Sequence, residues 1–330
     1  MRLQRIDAFR FYSIILILFA HTQYFGGIDL SLPFTKAFSI AIVTLARPTI
    51  QFFFILSGFF VGGKIIEAPE RAIAVARKYT WKLGIVFLFW CVVYAGANLE
   101  YTRLLVTQNP IRLVFEGTRI HLWYLPSLIL TVWLFALWPG NRKGWSFLAL
   151  GGILFLVGMF GGAYRLTSLG FDINFNTRNG IFFSTVFFGI GAWFSANKPQ
   201  ISKAAAIGIY LAGLALFSLE CFYLWSQFQL DPIKNDYVLG SIPYGIGFFL
   251  IAQRFEATAL DRWSAPLAKY VLGMYVAHML ILELLLKPLH KGVDPILWQL
   301  TVPLILFVLT FALVWLISRT PLKRVLGMDE

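Results

Sequence analysis

Long apolar runs alternate with short polar stretches along almost the whole chain. A helix needs about 20 apolar residues to cross the hydrocarbon core of a bilayer, and runs near that length recur throughout. The pattern predicts ten membrane-spanning segments, over residues 10–27, 38–63, 83–98, 120–138, 145–162, 180–196, 204–225, 238–252, 267–286 and 296–317. The eighth is short for a span and would suit a tilted half-helix. We therefore expect an all-α, polytopic integral membrane protein with about ten transmembrane helices.

The distribution of positive charge sets the expected orientation. Ten spans place both termini on one side of the membrane. Of the 28 Lys and Arg residues, 17 fall on that side, nine fall on the opposite side, and Arg47 and Lys269 lie inside spans. Cytoplasmic loops carry an excess of Lys and Arg, so both termini are expected in the cytoplasm. Because no loop is long enough for a soluble domain, residues 1–330 are read as a single domain of the cytoplasmic (inner) membrane.

Composition narrows the expected partners. The chain is 58% hydrophobic and 13% charged, whereas a soluble domain is nearer half apolar and a quarter charged. A net charge of +12 would suggest nucleic acid in a soluble protein. Here the basic residues sit in short loops between apolar runs, so membrane lipid and topology explain them and no nucleic-acid partner is expected. Cys91 and Cys221 lie in apolar runs and are read as small hydrophobic residues, so no metal site is expected. The oligomeric state is left open.

The first apolar run carries two ionisable side chains. Asp7 and Arg10 stand at its start, ten residues follow, and His21 comes next. Ionisable groups at membrane depth are rare and mark functional sites. Eleven residues of helix turn through about 1100° and rise about 16 Å, so Arg10 and His21 share a face, with His21 deeper in the membrane. The alternative is that Arg10 is a topological anchor and His21 a packing residue.

A basic collar precedes the third predicted span. The stretch KIIEAPERAIAVARKYTWK, residues 64–82, contains Arg71, Arg77, Lys78 and Lys82. Arg and Lys make charge-assisted contacts with phosphate oxygens, so the collar could hold an anionic ligand. Charge alone favours an anchor for acidic lipid and does not separate the two interpretations.

Other polar residues lie within or beside three later spans. The second span holds Pro48 and Gly58, which predict a kinked helix that packs closely against a neighbour. An aromatic belt at the membrane interface accounts for the two aromatic residues that open the fourth span. The candidates from the second, fourth and ninth spans are Arg47, Gln51, Ser57, His121, Trp123, Tyr124, Tyr275 and His278. His278 and Glu283 are five residues apart and are not assumed to pair.

Four segments resemble the acyltransferase-3 family of integral-membrane acyltransferases, which acylate sugars and other surface molecules. RIDAFRFYSIILILFAH resembles the family's first helix, and QFFFILSGFF resembles its FFxLSGF signature. HLWYLPSLIL is similar to its His-x-Trp-Phe/Tyr-Leu segment, and YVLGMYVAHMLIL to its Tyr-x-x-His segment. The matches follow the family's order from residue 5 to about 283.

Two positions depart from the family pattern. The family often has an Arg-x-x-Arg pair where the third helix begins. Here Lys82 aligns with the second Arg, while the first falls on Tyr79 with Lys78 beside it. The family commonly has an uncharged residue near Arg47, so that charge is assigned to this chain's own substrate.

The resemblance implies acyl transfer, most often of acetyl, from cytoplasmic acyl-CoA to a hydroxyl on an extracytoplasmic or membrane-bound acceptor. Expected acceptors are a sugar of an exopolysaccharide, an O-antigen or a lipid-linked oligosaccharide. The expected catalytic group is His21 with Arg10 and Asp7. His21 acts as the general base toward the acceptor hydroxyl or as a nucleophile that forms an acyl-His intermediate.

The donor is expected to be acetyl-CoA, without a metal, its phosphates held by Arg10, Arg77, Lys78 and Lys82. The oxyanion of acyl transfer needs hydrogen-bond donors, for which the candidates are Arg47, Gln51, Ser57 and His121. Trp123, Tyr124, Tyr275 and His278 complete the expected site. His278 is read as a supporting residue, so its loss is expected to be milder than that of His21.

Two other classes of protein are weighed. A carrier or flippase for lipid-linked sugars would also have ten spans and buried charges, but more often shows internal repeats and paired broken helices, and only one broken segment, at Pro48, is visible here. A glycosyltransferase that uses a lipid-phosphate donor is expected to have acidic residues in its first outer loop. Residues 28–37 offer only Asp29.

Overall fold

The computed structural model describes residues 4–140, 142, 145–173, 175–235 and 237–328. These residues form helices, short 3-10 and π segments and connecting loops, and they contain no strand. Arg2 and Lys143, which contribute to the predicted cytoplasmic charge, lie outside the described residues.

The described residues up to 140 form eight α-helices, which are α1 (Gln4–Phe25), α2 (Pro33–Ala46), α3 (Pro48–Ser57), α4 (Gly63–Glu67), α5 (Ala72–Ala97), α6 (Leu99–Gln108), α7 (Pro110–Glu116) and α8 (Tyr124–Ala136). The described residues from 145 onward form seven, which are α9 (Ser146–Phe160), α10 (Ile181–Asn197), α11 (Lys203–Phe228), α12 (Ser241–Arg254), α13 (Ala259–Ser264), α14 (Val271–Ile281) and α15 (Pro295–Ile317). Three short segments matter for the site: a π turn joins α3 to α4, a 3-10 segment over Ile120–Trp123 leads into α8, and a π segment over Leu282–Leu286 follows α14.

Every predicted membrane segment overlaps a helix, and the chain is a helical multi-pass membrane protein. Five helical runs among the described residues are long and apolar enough to cross a bilayer, namely Pro33–Glu67, Pro69–Ala97, Lys203–Phe228, Ala259–His290 and Pro295–Ile317. A sixth counts if α7 and the run Ile120–Ala136, bent by 68° relative to each other, form one broken span. The other segments are shorter or, like α1, carry polar side chains. Ten spans and cytoplasmic termini therefore stay predictions.

One connection is more structured than the sequence pattern indicated. Residues 99–116, expected as part of an outer loop, form α6 and α7. Asn98 caps α6 by accepting a hydrogen bond from the backbone of Tyr101, and Pro110 occupies the first turn of α7. Capping signals at Asn98 and Pro110 account for these helices. They are too short to cross a bilayer and do not contradict a position in a loop outside the membrane.

α10 forms the centre of the packing. Residues 183–192 of this helix are all buried, as expected for a helix that is apolar on all sides. The π turn after α3 crosses α10 at Gly58, where a β-carbon would overlap the carbonyl oxygen of Phe188. The close approach predicted for Gly58 is therefore present. The regular α-helix is also interrupted at Arg47, between the end of α2 and the start of α3 at Pro48.

Candidate active site

Two cavities lie among α1, α3, α14 and the run Ile120–Ala136. The Arg10 cavity, about 260 Å³, is lined by polar groups of Arg10, Ser57, Tyr79 and Tyr124 and otherwise by apolar side chains. The His21 cavity, about 360 Å³, is lined by His21, Arg47, Gln51, His121, Trp123, Arg178 and Lys234 among others. Each volume suits part of a small-molecule substrate.

The two cavities meet at three side chains. Ile17, Ile50 and Tyr275 line both cavities and form the boundary at which the cavities adjoin. On α1 the order is Arg10, Ile17 two turns further, and His21 one turn beyond that, so the three side chains follow one stripe of the helix. The shared face predicted for Arg10 and His21 therefore leads from one cavity into the other.

Along α3 and the segment that leads into α8, the residues meet the His21 cavity first and the Arg10 cavity second, the reverse of the order along α1. Arg47 and Gln51, around the start of α3, line the His21 cavity, whereas Ser57 at its end lines the Arg10 cavity. Likewise His121 lines the His21 cavity and Tyr124 lines the Arg10 cavity. α3 and α8 thus run antiparallel to α1 between the same two cavities.

The oxyanion candidates are divided between the two cavities. Ser57 lies six residues beyond Gln51, which is about 9 Å along a helix, and its hydroxyl donates to the carbonyl of Phe53 at 2.9 Å. Its oxygen is also 3.4 Å from the hydroxyl of Tyr79. Ser57 and Tyr124 therefore belong to the Arg10 cavity. His121, Arg47 and Gln51 remain in the cavity that contains His21.

His21 and His278 are in direct contact. Nδ1 of His21 is 2.5 Å from Nε2 of His278, and the rings stack with centroids 4.8 Å apart and planes inclined by 17°. Nδ1 of His278 lies 2.7 Å from the carbonyl oxygen of Tyr275 and 3.2 Å from that of Met274. His278 is fully buried, whereas His21 is only partly buried and faces its cavity. No pattern in the sequence predicted this pair.

His121 completes a group of three imidazoles. Its ring centroid is 5.2 Å from that of His278, and the hydroxyl of Tyr275 donates to its backbone carbonyl. Neither imidazole nitrogen of His121 makes a hydrogen bond of good geometry among the described residues, although the backbone of Val276 is close to the ring. The three rings do not form a metal-binding group in this part of the chain. A buried imidazole without a hydrogen bond of good geometry beside His21 is available to a substrate.

Arg10 is held by the other charged residue of its motif. Its Nη1 atom donates to Oδ1 of Asp7 at 3.0 Å, one turn earlier on α1. Asp7 is buried, while the Arg10 side chain is about one-third exposed and lines its cavity. The ion pair therefore orients a guanidinium at the mouth of the Arg10 cavity.

The residues of the basic collar lie in two different places. Arg77, Lys78 and Lys82 line a surface groove with Trp81, and Lys323 and Arg324 from the 3-10 segment Pro321–Leu326 join them; we call these five basic residues the basic cluster. Arg71 is not among the residues lining this groove; it is exposed and 3.9 Å from Glu70. The cluster is separate from the Arg10 cavity, but Tyr79, between Lys78 and Lys82 on α5, reaches that cavity. In the sequence, Lys323 and Arg324 were distinguished only by their positive charge in a predicted loop.

The His21 cavity contains two basic residues that sequence reasoning missed. The guanidinium of Arg178 lies 4.9 Å from the ring centroid of Trp123, and Lys234 lines the same wall. Arg47, predicted to face the interior, also lines the cavity, donates to the carbonyl of Ile233 and lies over Tyr24. The only signal for Arg178 and Lys234 was their positive charge in predicted outer loops.

Comparison with known proteins settles the family. The model of the acyltransferase-3 family (Acyl_transf_3), described as an acyltransferase domain, matches residues 3–319. The chain belongs to this family. This membership supports an acyltransferase that sits in a membrane.

Several curated relatives carry a different name. Two amino-acid racemases of Enterococcus faecalis are 31% identical over 254 residues (71% of this chain, 34% of the relative) and 25% identical over 300 residues (85% and 41%). A serine/alanine racemase of Enterococcus gallinarum is 25% identical over 300 residues (84% and 40%). The chain thus spans about two fifths or less of the length of these relatives. No solved structure shows a significant match.

Proposed function

We propose that this acyltransferase moves an acyl group, acetyl in the first instance, from acyl-CoA to a hydroxyl of an acceptor. The observation that carries the proposal is the meeting of two cavities at Ile17, Ile50 and Tyr275, one helical turn from the His21–His278 pair. A transferase must bring two substrates to one reacting atom without mixing their binding sites. Two cavities that meet beside a histidine suit that task.

The donor occupies the Arg10 cavity in this proposal. Its narrow, mostly apolar walls suit the pantetheine arm, and Arg10 at the mouth suits a phosphate. The basic cluster, reached along α5 from Tyr79, suits the remaining phosphates of CoA. Both features lie on the side assigned to the cytoplasm by the charge distribution, which is where acyl-CoA is available.

The reaction proceeds at the junction of the cavities. His21 takes the proton of the acceptor hydroxyl, and the oxygen attacks the thioester carbonyl carbon. The carbon–sulfur bond then breaks, and the proton on His21 passes to the sulfur of CoA. His121, Arg47 and Gln51 line the same cavity as His21 and are the candidates to donate to the oxyanion. An acyl-His21 intermediate is the alternative course.

The acceptor occupies the His21 cavity. A sugar hydroxyl of an exopolysaccharide, an O-antigen or a lipid-linked oligosaccharide is the first choice, because aromatic and amide side chains such as Trp123 and Gln51 line the wall. A second acceptor class is favoured by Arg47, Arg178 and Lys234 in that cavity and by the relatives named for amino-acid substrates. Amino acids and acidic sugars both carry a carboxylate that such side chains bind.

The test uses the purified full-length chain in lipid nanodiscs with radiolabelled acetyl-CoA. Release of the CoA thiol and transfer of label are measured against a panel of neutral sugars, acidic sugars and amino acids. We expect transfer to one class and none by His21→Ala. Transport of an acceptor into liposomes without consumption of acyl-CoA would favour the carrier alternative. Mass spectrometry of surface polysaccharide from cells with and without the protein identifies the natural acceptor.

A further inference from the structure

The hydrogen bonds around His278 determine which nitrogen of His21 can react. From them we infer that His278 is a positioning residue, which holds the proton of His21 on Nδ1 and leaves Nε2 as the atom that receives the acceptor proton. The inference rests on the proposed function for its catalytic meaning, whereas the tautomer itself follows from the contacts.

The contacts of His278 determine which of its ring nitrogens is protonated. Its Nδ1 atom faces the carbonyl oxygens of Tyr275 and Met274, at 2.7 and 3.2 Å. Carbonyl oxygens only accept hydrogen bonds, so Nδ1 of His278 must carry a proton. The side chain is fully buried, where a second proton would create a charge at high cost. Nε2 of His278 therefore has a free lone pair.

The position of the proton on His278 determines the position of the proton on His21. Nε2 of His278, now an acceptor, lies 2.5 Å from Nδ1 of His21. A hydrogen bond at this distance requires the proton on Nδ1 of His21. A neutral imidazole carries one N–H, so Nε2 of His21 has a lone pair. The backbone carbonyls of α14 thus determine, through His278, the tautomer of a residue on α1.

The backbone of α14 around His278 is fixed by contacts with other helices and segments. His278 lies on α14 between two fixed points. The hydroxyl of Tyr275 is bound to the carbonyl of His121. The hydroxyl of Tyr94 donates to the carbonyl of Val276 at 2.7 Å and accepts from the backbone of Leu280 at 3.1 Å. Both anchors lie within three residues of His278, so they fix the part of the α14 backbone that carries its side chain, and the carbonyls of Tyr275 and Met274 then orient the ring.

The arrangement also aids the proton transfer. When His21 takes the acceptor proton on Nε2, it becomes an imidazolium that still donates from Nδ1 to His278. A hydrogen bond from a charged donor is about twice as strong as a neutral one. His278 therefore stabilises the charged form of His21 more than the neutral form. An imidazole in this place performs the orienting task that a carboxylate performs in a Ser-His-Asp triad.

The decisive experiment compares His278→Gln with His278→Met. The two side chains have similar length, but only Gln presents an oxygen that can accept from Nδ1 of His21; the Met sulfur is a weak acceptor. We expect His278→Met to lower kcat about 100-fold or more, within the range for general-base catalysis, with the KM for acetyl-CoA changed less than about twofold. His278→Gln should recover at least about tenfold of that loss. Equal losses in both variants, with both folded, would overturn the positioning role.

A second measurement is independent of activity and reads the tautomer in the wild-type chain. Nitrogen NMR of the wild-type chain with ¹⁵N-labelled histidine distinguishes a protonated from an unprotonated ring nitrogen, and His21→Gln identifies the signals of His21. We expect His21 to carry its proton on Nδ1. A proton on Nε2 at neutral pH would overturn the inference. If the tautomer is as expected but no acceptor is acylated, the proposed function fails while the structural inference stands.

Discussion

Arg119 and Glu283 form an ion pair with 2.5 Å between Nη2 and Oε2. Arg119 directly precedes the 3-10 segment that carries His121, and Glu283 lies in the π segment directly after the helix that carries His278. Their side chains are 15% and 21% exposed, so the pair is screened less than a surface pair. It joins the segments that carry His121 and His278, whose ring centroids are 5.2 Å apart, and it gives Glu283 a partner other than His278.

This pair leads to a charge-reversal prediction. Arg119→Glu should lower the rate of acyl transfer at least about tenfold, a loss of about 1.4 kcal/mol, because like charges would push the His121 segment away from α14. The double variant Arg119→Glu/Glu283→Arg should recover part of the rate. Arg165→Glu is the matched control, since Arg165 and Asp172 are 3.6 Å apart and largely exposed and such pairs contribute little. Failure of the double variant to exceed Arg119→Glu would contradict this role.

His21→Ala should abolish acyl transfer and leave the protein folded in the membrane. The proposed base is lost, whereas the side chain is only partly buried and contributes little packing. Removal of a general base costs about 10²–10⁴ in rate, and we expect a larger loss than for any substitution of His278. His290→Ala, in a 3-10 segment and not among the residues that line either cavity, is the control. Transfer of label by His21→Ala at a near-normal rate would refute the central assignment.

Much of the fold follows from the local pattern of residues. The apolar runs located helices at all ten predicted places, since the length of apolar sequence needed to cross a bilayer is fixed by the membrane. The spacing of Arg10 and His21 placed both on one stripe of α1, because helix periodicity determines that relation. Gly58 indicated a close helix contact for a steric reason.

Other features depend on tertiary contacts that no local pattern contains. His21 and His278 are 257 residues apart and meet only because α1 packs against α14. Arg178 lies in an irregular connection, so neither periodicity nor capping could place it beside Trp123. The separation of Ser57 from Gln51 could not be predicted, because sequence order along α3 does not show where the boundary between two cavities falls.

Arg10→Ala should weaken acyl-CoA binding more than acceptor binding. The guanidinium lies at the mouth of the Arg10 cavity, and a lost charge-assisted contact costs about 1.5–3 kcal/mol, which corresponds to roughly a tenfold or greater rise in KM for acyl-CoA. Arg47→Ala is the reciprocal variant, since Arg47 lines only the His21 cavity, and it should raise the acceptor KM instead. Both constants are measured by varying each substrate in turn. The opposite assignment of effects would reverse the proposed donor and acceptor cavities.

The basic cluster should respond to salt as a phosphate site does. We expect Lys78→Ala/Lys82→Ala to raise the acyl-CoA KM, and added salt to raise that of the wild type, because the Debye length is only about 8 Å at physiological ionic strength. Arg71→Ala is the control for general loss of positive charge near the membrane, since Arg71 is exposed and not part of the cluster. A lipid anchor would instead change insertion or expression. If neither the double variant nor salt moves this KM, the cluster serves topology alone.

Closing the junction between the cavities should separate binding from reaction. Ile50 lines both cavities, and Ile50→Trp places a larger side chain where the acyl group must pass to reach His21. We expect acyl-CoA to remain bound, as measured by equilibrium binding of labelled acetyl-CoA, while transfer falls at least about 100-fold, which corresponds to about 2.7 kcal/mol in the barrier. Overpacking alone costs about 1–3 kcal/mol of stability, so the amount of folded protein is matched by size-exclusion chromatography. Ile153→Trp, on an exposed site of α9, controls for the added indole. Undiminished transfer by Ile50→Trp would show that the acyl group reaches His21 by another path.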